Sequence, residues 1–276
     1  MRRLLFIALI PFLASCGAPE SSDHYVEQAR QHLEASSYKA AAIELKNALR
    51  VDPDAAEARW LLGKLYLDTG EMLSADKELR RAEALGWPAD DVRPALARTL
   101  LAQGKYDEVI ALEYDDLAPA AASGLLASRA LASLAQGESG EAAKLVGLAL
   151  EKAPESVEAK LVEARIFASQ GDSTGALIVL EEVLEAAPDK AAAWSLKGDL
   201  LLQRQALQEA RAAFDQAIEY APQSYGERFK RGLINLQLGE VEAARADATH
   251  LLKASPQSPA GNYIQGLIDF QGKEYA

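Results

Sequence analysis

Four prolines, Pro154, Pro188, Pro222 and Pro256, recur at a constant step of 34, and Pro53 belongs to the same series earlier in the chain. A proline cannot continue a helix, so each closes one segment and turns the chain into the next. A second ladder, Gly70, Gly104, Gly137, Gly171 and Gly239, runs at steps of 34, 33, 34 and 68. Glycine at such places supplies the backbone freedom of a tight turn between two helices. Two ladders in one register define a helix-turn-helix unit repeated along the chain. Each unit buries apolar surface only against its neighbours, so the 276 residues are not counted into domains by length. Hydrophobic residues make up 49% of the chain but aromatics only 7%. Much of the apolar content is Ala and Leu, which favour closely packed helices.

The clearest unit runs from Ala191 to Pro222, with Trp194, Gly198, Leu201, Ala210, Phe214 and Ala217 at spacings that resemble the tetratricopeptide repeat. Unit one spans about Ser22 to Asp54 with Ala29, Tyr38, Ala41, Leu45 and Ala48; unit two spans Ala56 to Pro88 with Trp60, Gly63, Tyr66, Ala75 and Ala82. Unit three starts near Asp90, with Ala97, Gly104 and Tyr106, and then departs from the pattern. Glu113 and Asp116 stand where small or apolar residues are needed and Pro119 arrives early, so a short second helix and a local change of path are expected. Unit four resumes near Ser123, and units five to seven follow at strict steps. Ala164, Gly198 and Gly232 take the small position of their first helices, and Ala176, Ala210 and Ala244 that of the second. Phe167, Leu180, Phe214 and Leu251 fill the space between units. An eighth unit starts with Asn262, Tyr263, Gly266 and Phe270 and has no polar cap, which points to a longer array or a covering partner. The expected fold is all-α, a right-handed α-solenoid of about seven and a half repeats over residues 23–276.

Met1-Arg2-Arg3 followed by the apolar run Leu4 to Leu13 reads as a secretory signal over residues 1–15, too short for a stable membrane span. Leu13-Ala14-Ser15-Cys16 resembles the bacterial lipobox, with the chain's single cysteine, Cys16, as the lipidated residue. Residues 16–22 then form a flexible tether. By resemblance to bacterial lipoproteins, Gly17 after the cysteine favours the outer membrane, facing the periplasm. Cleavage before Cys16 removes two positive charges and no negative ones, taking the net charge from −12 to −14. So acidic a body disfavours nucleic acid and anionic membrane surfaces, which both need Lys and Arg contacts. With Cys16 committed to lipid, no disulfide is expected.

Catalytic and metal chemistry find little support. His24, His32 and His250 build no zinc site of familiar spacing with one cysteine, so no metal and no cofactor are expected. Gly171-Asp172-Ser173 falls on the inter-helix turn of unit five, and no histidine accompanies it for hydrolysis. No phosphate-binding glycine loop occurs. An enzyme is not expected.

The face with a binding pattern is that of the first helices, which line the concave side of such an array at positions two, five, nine and twelve. Position nine holds Arg30, Lys64, Arg98 and Arg165, with Leu131 and Asp199 as exceptions. Trp60, Leu161 and Phe229, at position five, add apolar or aromatic footholds. A cationic stripe in an acidic body fits an extended anionic ligand, either an acidic peptide or a uronate-bearing polysaccharide. The plainer alternative is a solvated face of i,i+4 pairs, Arg30 with Glu34 and Lys64 with Asp68.

Beyond the generic repeat, the combinations Ala193-Trp194-Ser195-Leu196-Lys197-Gly198-Asp199-Leu200, Leu62-Gly63-Lys64-Leu65-Tyr66-Leu67 and Asn262-Tyr263-Ile264-Gln265 with Phe270-Gln271-Gly272-Lys273-Glu274-Tyr275 resemble the tetratricopeptide lipoproteins of exosortase/PEP-CTERM systems. That resemblance implies a longer array, and a non-catalytic, membrane-anchored scaffold that assembles exopolysaccharide export or protein-sorting components. A pilotin-like lipoprotein for an outer-membrane secretin or barrel, and a glycan-binding accessory lipoprotein, are the alternatives. Protein partners are expected first and an anionic polysaccharide second.

Overall fold

A computed structural model of the chain describes residues 21–274, and side chains through residue 272. Fifteen helices and no strand occur among the described residues. The signal segment, Cys16 and Tyr275 lie outside them. The helix-forming part begins one residue earlier than expected, because Ser21 caps α1 (Ser22–Glu34) by accepting a hydrogen bond from the His24 backbone N–H at 3.2 Å.

The chain divides into two compact units at Thr99/Leu100, within α5 (Ala89–Ala102). The first holds α1, α2 (Tyr38–Val51), α3 (Ala56–Thr69), α4 (Met72–Ala84) and the start of α5. The second holds α6 (Tyr106–Ala111), α7 (Pro119–Ala135), α8 (Ser139–Lys152), α9 (Val157–Ser169), α10 (Ser173–Ala186), α11 (Ala191–Gln203), α12 (Leu207–Tyr220), α13 (Tyr225–Gln237), α14 (Val241–Ala254) and α15 (Pro259–Glu274). Within each unit the helices pair as antiparallel hairpins, and each hairpin packs on the next. This is an α-solenoid of helix-turn-helix repeats.

The small positions explain the close packing. A Cβ added to Gly198 would sit 2.7–2.9 Å from three ring atoms of Phe214, and one on Gly232 would sit 2.6 Å from Ile264 Cδ1. Phe214 is fully buried as a result. A large residue against an absent side chain closes the α11–α12 hairpin at Gly198 and the α13–α15 contact at Gly232. The turn ladder holds as well, for Gly70, Gly104, Gly137, Gly171 and Gly239 all have φ between 71° and 83°. Where the ladder lacks glycine, Ser36 and Gln205 occupy the same left-handed backbone at φ 54° and 59°. The geometry of the repeat therefore overrides a cost of roughly 1–2 kcal/mol at those two residues.

The proline ladder has a second function that sequence alone did not reveal. Trp194 Nε1 donates to the Pro188 carbonyl at 2.8 Å, and Arg59 Nη2 and Arg228 Nη2 donate to the carbonyls of Pro53 and Pro222 at 2.9 and 3.3 Å. All three donors stand at the same offset beyond their proline. Tryptophan and arginine alternate there because each combines a long apolar body with a terminal N–H.

Unit three has the expected short second helix, the single short turn-and-a-half of α6. Pro119, however, does not close that unit. It stands at the first position of α7, where a missing N–H costs nothing, and starts the first helix of unit four earlier than Ser123. Similarly, the eighth unit starts at Pro259 and not at Asn262.

Candidate functional site

The cations of the first helices fall into two groups. One group holds the scaffold. Arg231 on α13 makes a bidentate pair with Asp247 of α14, through Nε to Oδ2 at 3.0 Å and through Nη2 to Oδ1, and reaches Asp215 of α12 at 2.7 Å. Asp247 is 2% exposed, and Asn235 Nδ2 lies 3.4 Å from it. Burial works against the Arg231 charge most strongly, yet the hydrogen bonds and charges of Asp247 and Asp215 together outweigh it and raise the pKa. Arg59 of α3 pairs with the buried Glu78 of α4 through the single contact of Nη1 with Oε2 at 2.5 Å.

The other group contains the position-nine residues. Arg30, half exposed, pairs across the repeat boundary with Glu57 of α3 and at 3.5 Å with Glu27. Its pKa is raised, first by the hydrogen bond with Glu57. The expected Arg30 with Glu34 pair does not form, because the next repeat offers a better-placed carboxylate. Lys64 and Arg98 are exposed, and no ion pair among the described residues holds either; the Lys64 with Asp68 pair is likewise absent. Trp60 is half-buried on α3. Those four residues belong to the first compact unit and Arg165 to the second.

Arg165 of α9 opens into a recess of about 440 Å³ lined also by Ala192, Ser195 and Asp199 of α11, by Ser224 and by Glu227 of α13. Its carboxylates are already engaged. Asp199 accepts from Lys230 Nζ at 2.5 Å and Glu227 from Ser195 Oγ at 2.7 Å. Glu158, on α9, is paired with Lys190 at 2.7 Å. No carboxylate among the described residues pairs with Arg165. The surrounding protein atoms strip part of its hydration and lower its pKa, although its surface reaches solvent through the open recess. A guanidinium remains charged throughout the physiological range, so the recess presents an unneutralised cation.

Of the other expected footholds, Leu161 is 7% exposed, buried in the core with Ala164 and Leu180, and offers no surface to a ligand. Phe229 of α13 is half-buried, with its ring 6.1 Å from that of Tyr263 on α15 and tilted by 59°. Tyr263 is 57% exposed and Phe270, two turns on along α15, 61%. Sequence reading placed these two only in the repeat pattern; the signal for Tyr263 was its 34-residue step from Phe229, and Phe270 follows Leu236 at the same step. Ser195, Phe229 and Tyr263 occupy one register position of three successive repeats, and Arg165, Asp199, Leu233 and Leu267 occupy another of four.

Asp172, in the Gly-Asp-Ser turn, caps α10 by accepting from the Gly175 backbone N–H at 2.8 Å. No group of three His, Cys, Asp or Glu able to hold a metal occurs among the described residues, and none of the helices there is long and apolar enough to cross a membrane.

Paired helices, small-residue contacts and a ligand-sized concave recess define a repeat solenoid of the protein-interaction class. Tetratricopeptide repeat profiles match residues 26–90, 133–200, 179–227 and 195–259, more than half of the sequence. The chain belongs to the tetratricopeptide repeat family. In solved structures it is similar to a chain of the APC/C hetero-tetramer Cut9-Hcn1, at 13% identity and TM-score 0.66 over 90% of this chain and 48% of that one. It thus spans about half the length of that relative. A tetratricopeptide repeat protein from Parabacteroides merdae ATCC 43184 is 16% identical with TM-score 0.61, over 90% and 98% of the two chains. A monomeric IFIT1 mutant with m7Gppp-AAAA is 15% identical with TM-score 0.68, over 89% and 61%. Likeness at these identities establishes the fold. No curated protein matches the chain in sequence.

Proposed function

We propose that the protein is a non-catalytic scaffold, anchored by lipid on Cys16 and facing the periplasm, that gathers exopolysaccharide-export or PEP-CTERM protein-sorting components. The observation that carries the binding part is the recess around Arg165, where every neighbouring carboxylate is engaged and the guanidinium is not. A polar recess of this size on the first-helix face suits a segment of a protein partner better than a small substrate, since it is open and its one hydroxyl–carboxylate contact, Ser195 with Glu227, has no histidine beside it. The anchoring part is supported by the Leu13-Ala14-Ser15-Cys16 sequence, and the pathway by the resemblance of the repeat combinations.

A photo-crosslinking residue at Ser195 in the intact, lipid-anchored protein tests this reading in the native envelope. Crosslinks to export or sorting proteins that disappear in Arg165→Glu are the expected result. Crosslinks to a secretin would shift the reading to assembly of that channel, and labelling of glycan alone would sink the scaffold. In parallel, Cys16→Ser should release the protein from the membrane fraction.

A further inference from the structure

The acidic balance that disfavours an anionic membrane surface for the body as a whole is not uniform along the second helices. α2 carries Lys39, Lys46 and Arg50 against Glu44 alone, whereas α10 carries Glu181, Glu182 and Glu185 and no cation. At about 100° per residue, Lys39, Ile43, Lys46 and Arg50 fall within about 60° of one another, on the side of α2 opposite the buried Ala41, Leu45 and Ala48. All four are exposed. Glu44 accepts from Asn47 Nδ2 at 3.1 Å, and Lys46 Nζ lies 5.7 Å from the centre of the Tyr66 ring. Among the described residues no carboxylate pairs with the cations of α2, whereas those of α4 are engaged, Lys77 with Glu78, Arg80 with Asp76 and Arg81 with Asp54.

We infer that this stripe of α2 is a contact surface for anionic phospholipid headgroups, which holds the first compact unit against the bilayer that takes the lipid on Cys16. The inference rests on the anchor reading above and adds an orientation to it. Ser22 Oγ donates to the Ala48 carbonyl at 3.2 Å, so the start of α1 lies beside the last turn of α2, next to Arg50. Cys16 stands five residues before Ser21, a reach of at most about 18 Å, and the stripe from Lys39 to Arg50 is about 16 Å long. The anchor therefore keeps α2 within about its own length of the headgroups. A lipid chain joined to a basic patch is a two-signal membrane attachment, and each Lys or Arg near an anionic leaflet favours contact about fivefold. α1 and α3, which pack on the buried side of α2, are then turned away from the bilayer.

Two observations select a lipid surface. Ile43, 58% exposed, stands in the middle of the three cations, where an apolar side chain suits the boundary between headgroups and acyl chains and finds nothing to meet on a phosphodiester backbone. The second is an internal comparison. Ile178 is the sixth residue of α10 as Ile43 is of α2, and is 59% exposed, yet Thr174, Glu181 and Glu185 take the places of Lys39, Lys46 and Arg50 around it. The repeat therefore does not require cations at those places, and α10 offers an anionic leaflet only repulsion.

The test uses the full chain, produced with its lipid and reconstituted in vesicles of equal parts phosphatidylglycerol and phosphatidylcholine, with a photoreactive residue at Ile43 or at Ile178. Expected is crosslinking to lipid from Ile43 and not from Ile178, and its loss in vesicles of phosphatidylcholine alone. Lys39→Gln, Lys46→Gln and Arg50→Gln should each cut the labelling from Ile43 about fivefold. The replaced side chains are exposed, and a circular dichroism melt of each variant verifies the fold. Equal labelling from Ile43 and Ile178, labelling indifferent to the three replacements, or crosslinks from Ile43 to a second copy of the chain overturns the α2 surface, and leaves the anchor standing so long as the protein floats with the vesicles. Wild type that floats no better than Cys16→Ser overturns the anchor, and with it the tethered contact.

Discussion

Arg30 in the first compact unit and Arg165 in the second hold the same repeat position, yet one is neutralised and the other is not. The difference lies in the repeat that follows each of them. Glu57 stands there for Arg30 and Ala192 for Arg165, in each case at the second position of the next first helix. Glu57 takes the guanidinium of Arg30 across the repeat boundary, whereas Ala192 leaves Arg165 facing the recess. For these two arginines, the availability of the charge is set by a residue one repeat away more than by their own helix neighbours. A stripe of like residues in the sequence is therefore not a stripe of equivalent sites.

The largest effect that separates scaffold charge from groove charge is expected at Asp247. Asp247→Ala strips the buried partner from Arg231, and urea denaturation should show a loss of about 3 kcal/mol, the scale for breaking a buried pair from one side. Arg165→Gln, measured alongside, should leave stability within about 0.5 kcal/mol, because no partner is lost. An equal loss from both would erase the distinction.

Next in size is the exchange of the determinant itself. Ala192→Glu rebuilds beside Arg165 the arrangement of Glu57 and Arg30, and should weaken partner binding by about tenfold, read as crosslinking yield from the photoreactive residue at Ser195, with the melting temperature preserved. Undiminished binding would show that neutralising Arg165 is immaterial. The reciprocal change, Glu57→Ala, removes an exposed pair and should cost no more than about 0.5 kcal/mol in the same denaturation assay.

The smallest effect concerns an anion on the helix of Arg165. The Glu163 carboxyl is held above the usual range, by burial first and by the nearby charge of Glu182 second, against the opposing charge of Lys160. A carboxyl with a raised folded-state pKa binds more protons folded than unfolded across the window between the two values, so stability falls as pH rises through it. Because the group is only partly buried and solvent screens it, Glu163→Gln should stabilise the protein at pH 7 by only a few tenths of a kcal/mol, about 0.3, and not at all near pH 3.5, as denaturation at the two pH values would reveal. A larger gain at the acid end would reverse the assignment.

Most of the fold was legible in the sequence because the features that define it are backbone requirements. Gly171 and Gly239 mark left-handed turns and Gly198 marks a contact with Phe214, and no other residue meets these requirements as cheaply. Pro119 misled because the same ring restriction that ends a helix also suits its first residue, and the residues around it decide which. The first-helix face was legible as a surface but not as a set of usable groups. Leu161 and Phe229 share a position, yet one is sealed in the core and the other meets Tyr263, since exposure depends on the bulk of neighbours in adjacent repeats. Ion pairs such as Lys230 with Asp199 join successive repeats, outside the reach of the i,i+4 rule that favours Arg30 with Glu34. Trp194, legible only as a residue of the repeat pattern, proves to be a donor to Pro188, a contact invisible until the turn geometry is known.

Arg165 as a ligand-binding cation and Arg30 as a structural one is the distinction on which the rest depends. Partner binding, read as crosslinking yield from the photoreactive residue at Ser195 in Arg165→Gln and Arg30→Gln forms of the intact, lipid-anchored protein, tests it most directly. Binding should weaken about tenfold for Arg165→Gln and change by less than about twofold for Arg30→Gln. Equal losses, or a greater loss at Arg30, would contradict it.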